Sequence, residues 1–335
     1  MEGFKLTLVT GVATHSLGEL FVTQYLACDT VGRVVGVDRV SNTRLGKIPR
    51  YVGLQKDLNP LSRAGYLEEF GTELRETVVG VLNELGADGV NSLIQSAGVY
   101  DSGPFLEHDS ERRQRIIGVN FVGHVEVLYH VMALNAARGV DNAEFFTYID
   151  VGSFQGLYVR AQRPLYAPSK AVGIDLCTAL WEGREVRRCI YFAPALIDTH
   201  MLHENHWVKK AGGSGEFFRH MLEGPVDRYW AVFIKCDVTA IREAASVSGI
   251  DLETILQAFD RYCSIRQEAF KGSPGVLGAD ECAAILVKIA MEPDQYPSGV
   301  YFANSMPGEG PALWQALFSE LSRGDLFERV GRRLF

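Results

Sequence analysis

The sequence predicts an α/β fold, a doubly wound parallel sheet with a helical insertion laid over one edge. Three observations predict it. Apolar strand-like runs and helical patterns alternate from the first residues. The strand runs are nearly continuous in hydrophobic residues, as strands buried on both faces are. The helical segments between them are long enough to carry the chain back to a parallel neighbour.

The elements follow in order. Lys5–Val9 reads as a buried strand and Leu17–Ala27 as a helix with apolar residues at helical spacing. A second strand, Arg33–Asp38, ends in a carboxylate, and a short third fits Tyr51–Leu54. A long helix fits Leu61–Leu85, and a fourth strand, Ser92–Gln95, runs into Ser96-Ala97-Gly98. From Ser110 a helix of about two dozen residues follows, with Ile116, Ile117, Phe121, Val125 and Leu128 as its apolar stripe. The fifth strand is Phe145–Ile149, the next helix Tyr166–Leu180, and the sixth strand Cys189–Phe192. After Thr199 the rhythm breaks: 200–275 carries helical patterns without a convincing strand, and the sheet resumes at Gly299–Phe302. These patterns divide the chain into a sheet domain, 1–199 with 276–311, a helical lid or cap, 200–275, and an amphipathic tail, 312–335.

Bulk properties narrow the function classes. The 335 residues are 47% hydrophobic and 22% charged, enough to bury a large core. A net charge of −8 without a basic run speaks against nucleic-acid partners. Six scattered cysteines, with no CxxC pair, suit reduced thiols rather than a disulfide framework. The chain starts on a strand pattern rather than a signal peptide, and no apolar stretch approaches the ~20 residues of a membrane span. A cytoplasmic protein without a membrane partner is expected.

Between the first strand and first helix stands Thr10-Gly11-Val12-Ala13-Thr14-His15-Ser16-Leu17-Gly18. Glycines at such a turn let the backbone approach a diphosphate, and the helix N-terminus offers amides and positive dipole. With the middle glycine missing, Thr14 and Ser16 can supply hydroxyls instead; alone, the stretch also reads as a plain strand-to-helix turn. Asp38, about 20 residues beyond the last glycine, can take the two ribose hydroxyls of NAD and repel the 2′-phosphate of NADP. Arg39 pulls the other way. Asp57-Leu58, after the third strand, sits where a side chain meets adenine, or Asp57 caps a turn.

Tyr166 and Lys170 are four residues apart and so share one helical face. A fixed ammonium beside a phenol favours the phenolate, bringing an ordinary tyrosine pKa of about 10 toward neutrality. Ser153, thirteen residues before Tyr166, follows the fifth strand, so strand end and helix start can face one cleft. Asn120 lies mid-helix between apolar neighbours and needs hydrogen-bond partners. Ser96-Ala97-Gly98 and Pro194…Thr199 end the fourth and sixth strands at the same carboxyl edge, where such sheets bind ligands.

As an ordered set, Thr10-Gly11…Gly18, Asp38, Asp57, Gln95-Ser96-Ala97-Gly98, Asn120, Ser153, Tyr166, Lys170 and Pro194…Thr199 resembles the short-chain dehydrogenase/reductase family over roughly residues 4–200. The resemblance implies a Rossmann-type fold and hydride transfer between a nicotinamide, NAD before NADP, and a carbonyl or alcohol carbon. It implies Tyr166 as general acid and base, Ser153 bonding the substrate oxygen, Lys170 on the nicotinamide ribose, and Asn120 supporting a relay water. Gly11, Thr14, His15, Ser16, Leu17, Gly18, Asp38, Arg39, Asp57, Leu58, Ser96, Ala97, Gly98, Pro194, Ile197 and Thr199 would line the cofactor. It also implies a homodimer or homotetramer. Three departures stand out: an extra residue in the glycine loop without its middle glycine, Gln95-Ser96 in place of paired asparagines, and Ala195 in place of the glycine after Pro194.

His200, His203 and His206 mimic a zinc set, but at this spacing they drift around a helix rather than converge, so no metal is expected. The other readings are an epimerase or dehydratase acting on a nucleotide sugar and a non-catalytic NAD-binding regulator. The first would recycle its cofactor with no lasting absorbance change. The second has no need of a Tyr-Lys pair.

Overall fold

The structure, a computed structural model, describes residues 4–62, 65–100, 105–157, 164–194, 197, 201 and 278–302. The 200–275 segment apart from Met201, with His200, His203 and His206, lies outside the described residues, as do Thr199 and the 312–335 tail.

Seven parallel strands form one sheet in the order β3-β2-β1-β4-β5-β6-β7. They are β1 (Phe4–Thr10), β2 (Val31–Asp38), β3 (Tyr51–Gln55), β4 (Ser92–Gln95), β5 (Thr147–Val151), β6 (Arg188–Ala193) and β7 (Gly299–Phe302). Strand order reverses between β1 and β4, which opens a crevice at their carboxyl ends. Every residue of β4, β5 and β6 is buried, which is why these strands read as mainly apolar runs without strict alternation.

Alternating side chains feed two cores. Leu8, Leu93, Tyr148 and Tyr191 face one side with α2 (Tyr66–Leu85), α4 (Gly123–Ala137) and α7 (Tyr166–Glu182). Val9, Ile94, Ile149 and Ile190 face the other with α1 (Leu17–Leu26) and α8 (Ala279–Met291). Two short helices, α5 (Asn142–Phe145) and α6 (Phe154–Leu157), flank β5.

Three of the differences from the sequence reading have clear local causes. The long helix begins at Tyr66 rather than Leu61, because Pro60–Ser62 forms a 3₁₀ turn and Gly65 turns left-handed at φ 74°. β5 begins at Thr147 rather than Phe145: Asp141 accepts the Ala143 amide at 2.9 Å and caps α5 first. Third, α3 (Ser110–Ile117) continues into α4 through a π-helical turn, Gly118–Val122. That extra residue rotates the buried face, so Val127, Leu128 and Val131 enter the core while Phe121 and Val125 stay half-buried.

The continuous helix Ser110–Ala137 is long and apolar enough to cross a membrane by length and composition, a stretch the sequence reading had not counted. Half of that apolar window is buried inside the fold, where its hydrophobic residues serve the core.

Candidate active site at the sheet's carboxyl edge

The glycine loop is held by close backbone approach. Gly11 stands at φ 74°, and a Cβ there would lie 2.5 Å from the Ala97 amide nitrogen at the end of β4. One on Gly18 would lie 2.3 Å from the Gly11 carbonyl oxygen. The missing middle glycine is answered by His15, which takes a left-handed φ of 64° despite its side chain.

Ser16 does not offer its hydroxyl outward. It donates to the Gly11 carbonyl at 2.8 Å and accepts the Glu19 amide at 3.0 Å, capping α1. Glu19, buried in the first turn, accepts the His15 amide, and its other oxygen accepts from Asn42, which also donates to the Val12 carbonyl at 2.7 Å. Thr14 and His15 remain exposed, whereas the Leu17 side chain belongs to the core.

At the end of β2, Asp38 accepts the Ala13 amide at 2.9 Å and the Val40 amide at 3.2 Å. Burial pushes its carboxyl above the usual range, against the pull of those bonds and of Arg39. Arg39 itself is exposed. Asp57 accepts the Asn59 amide at 3.0 Å and is exposed, so it caps a turn; Leu58 is buried in the core. A closely packed glycine loop and a fixed carboxylate at the end of β2 are the features that would suit a dinucleotide in the crevice, where Asp38 could take ribose hydroxyls.

The second half of the site gathers around α7. Tyr166, its first residue, is buried and packs edge-on against Tyr100 at 4.9 Å between ring centres. One turn on, Lys170 is buried with Nζ donating to the Val151 carbonyl at 3.2 Å. Both Lys170 Nζ and Asn120 Oδ1 face Gly98, at 3.3 and 3.6 Å from where its Cβ would stand. Burial lowers the Lys170 ammonium from its usual 10.5, and buried Asp150 beneath it opposes that shift.

Asn120 sits on the π-helical turn, a feature often found at functional sites. Both Nδ2 hydrogens are engaged, donating to the Val99 carbonyl at 2.9 Å and to Ser169 Oγ at 3.0 Å, while Oδ1 accepts the Val99 amide at 2.7 Å and keeps a second lone pair. The side chain thus ties the β4 loop to α7. Ser153, buried after β5, accepts the Gln155 amide on Oγ at 3.1 Å. Among the described residues its hydroxyl proton meets no acceptor, so it can be given to a substrate oxygen. Ser96 and Gly98 line the crevice half-buried, while Ala97 is buried with its amide on Thr10 Oγ1. Pro194 is buried at the end of β6, and Ile197 packs half-buried against the second core.

Several residues of the site escaped the sequence reading. Tyr191 and Asp150 lie in apolar strand runs and look like packing positions there. His124, one turn after Asn120, places Nε2 2.9 Å from the Ala97 carbonyl and Nδ1 3.3 Å from Asp150. The signal available was a charged residue in a strand buried on both faces, which needs a partner.

The buried ammonium has a measurable consequence. The folded chain holds the Lys170 proton less tightly than the unfolded chain does, so stability rises with pH on the alkaline side up to about 10.5. Lys170→Met keeps the stem, removes the charge, and is expected to raise the stability of the cofactor-free protein by about 1 kcal/mol at neutral pH. It should also flatten that alkaline rise. Thermal denaturation across pH checks both.

Residues 71–209 match the family model for short chain dehydrogenases. A search of curated proteins returned no match. Among solved structures, the chain is similar to 4-hydroxyisoleucine dehydrogenase complexed with NADH, with TM-score 0.58, 14% identity, and 89% of this chain and 96% of that one covered. A short-chain dehydrogenase/reductase from Saccharomyces cerevisiae gives TM-score 0.56 at 19% identity, covering 93% and 99%. Ligand-free aldohexose dehydrogenase from Thermoplasma acidophilum gives 0.56 at 15%, covering 90% and 92%. At these identities the structures show the fold alone, and the family match rests on residues 71–209. The stretch that holds Asn120, Ser153, Tyr166 and Lys170 is therefore similar to the short-chain dehydrogenases, within a fold that the solved dehydrogenases share.

Proposed function

We propose that the protein is an NAD(H)-dependent oxidoreductase acting on a carbonyl compound or secondary alcohol. The observation that carries this reading is the meeting of Lys170 and Asn120 at Gly98, directly beside the cradle built on Gly11. A nicotinamide bound there would supply or accept the hydride; the proton is the protein's task. Ser153 donates its hydroxyl to the substrate oxygen as negative charge grows on it. Tyr166 gives a proton to that oxygen in reduction and takes it back in oxidation. Lys170 favours the phenolate of Tyr166 through its charge and would hold the nicotinamide ribose.

NAD is preferred to NADP on the strength of Asp38, whose carboxylate is fixed at the ribose end and repels a second phosphate. The similarity to a dehydrogenase complexed with NADH agrees with that choice. Asp38→Asn is expected to weaken NADH binding about tenfold and NADPH binding much less, which fluorescence titration of the two cofactors checks. A homodimer or homotetramer is proposed for the assembly, to be read from sedimentation at micromolar concentration. The reaction itself is tested by a panel of ketones and alcohols read at the NADH absorbance. Lasting cofactor turnover supports the oxidoreductase, whereas substrate conversion without any lasting absorbance change favours an epimerase.

A further inference from the structure

Tyr191 occupies a slot made by missing side chains. On the fully buried strand β6, its ring lies where a Cβ on Gly152 would meet Cζ at 1.9 Å. A Cβ on Gly156 would meet its hydroxyl at 2.5 Å, and one on Gly173 its ring at 3.4 Å. These glycines belong to the end of β5, to α6 and to α7, the segments that present Ser153 and Lys170. The phenol oxygen accepts the Ser153 amide at 3.0 Å. Its single hydrogen points between two carbonyls, those of Lys170 at 3.0 Å and Ser153 at 3.2 Å. Burial pushes the phenol far above its usual pKa, so the hydroxyl stays a donor throughout the working range.

We infer that Tyr191 is a positioning residue for the reaction, a buried clamp whose one oxygen fixes Ser153 relative to the Lys170 turn of α7. Both polar backbone groups of Ser153 end on that atom, so the direction of its side chain follows from where the phenol sits. The carbonyl of Lys170 ends there too, which sets the distance between the residue that bonds the substrate oxygen and the helix carrying the proton donor. Displacements of about 1 Å at a reacting centre cost on the order of 100-fold in rate. This rests on the reading of Ser153, Tyr166 and Lys170 given above, and the test separates the two.

With a substrate found from the panel, Tyr191→Phe keeps the ring and removes the oxygen. Its kcat is expected to fall by about tenfold or more, with NADH affinity within twofold of the parent and assays run well below its Tm. Unchanged kcat would overturn the clamp, as would a loss of kcat that only tracks lost cofactor affinity and lost folded protein. Native-state hydrogen exchange on the unmodified protein gives a second reading that needs neither substrate nor variant: the Ser153 amide should be protected like the β5 core, and fast exchange there rejects the clamp. Tyr166→Phe serves as the control. If it leaves turnover intact, the assigned chemistry fails; if it abolishes turnover while Tyr191→Phe does not, the clamp alone fails.

Discussion

Tyr166→Phe is expected to lower kcat by roughly 10² to 10⁴, with Tm and NADH affinity close to those of the parent. The substitution deletes one oxygen from a buried ring whose edge-on packing against Tyr100 does not depend on it. Ser153 can still bond the substrate oxygen and Lys170 can still hold its place against the Val151 carbonyl. What is lost is the proton that must reach that oxygen, and residual rate would come from water. A fall in kcat with KM and cofactor affinity preserved is the signature of a group that acts on the transition state alone. Steady-state kinetics with a single ketone and NADH measure it.

Gly11→Ala is expected to be the most damaging single substitution in the cofactor half. Two costs add. A left-handed backbone at φ 74° strains any residue with a side chain, by about 1 kcal/mol. The new methyl would also stand 2.5 Å from the Ala97 nitrogen and 2.6 Å from its Cα, which are backbone atoms and cannot rotate away. The ends of β1 and β4 must therefore part, opening the crevice between them. A total near 3 kcal/mol is expected, or roughly 6 to 12 °C in Tm for a domain of this size. Gly86→Ala separates the two costs, since Gly86 is left-handed at φ 56° with open space around it and should lose only the backbone part. Calorimetry on the pair, together with NADH titration of the folded fraction, checks the difference.

The sequence made the sheet legible because its central strands are buried on both faces and most of the described crossovers carry a full helix. The same logic located most candidate chemistry, since Gly11, Ser96 and Pro194 directly follow strand ends, Ser153 comes one residue later, and the carboxyl edge gathers them. What stayed hidden depends on contacts between elements far apart in the chain. Tyr191 looks like any aromatic core residue until the glycines at 152, 156 and 173 are seen to face it. Asn42 and Glu19 hold the glycine loop from outside its motif, and their bonding left Ser16 with a capping role rather than a hydroxyl for phosphate. The helical stripe after Ser110 slipped because one π-helical turn adds a residue that no simple period registers. Asn120 was rightly flagged as a polar residue in need of partners, yet those partners are the Val99 backbone and Ser169.

We propose that Tyr166, Ser153 and Lys170 serve hydride transfer to or from a nicotinamide that would bind beside Gly98. The most direct measurement uses NADH deuterated at the transferring position of the nicotinamide ring, incubated with the protein and a ketone from the panel. Deuterium recovered on the carbinol carbon of the product, with one NADH consumed per alcohol formed, is the predicted result. Product without deuterium at that carbon, or turnover that leaves the NADH intact, would contradict it.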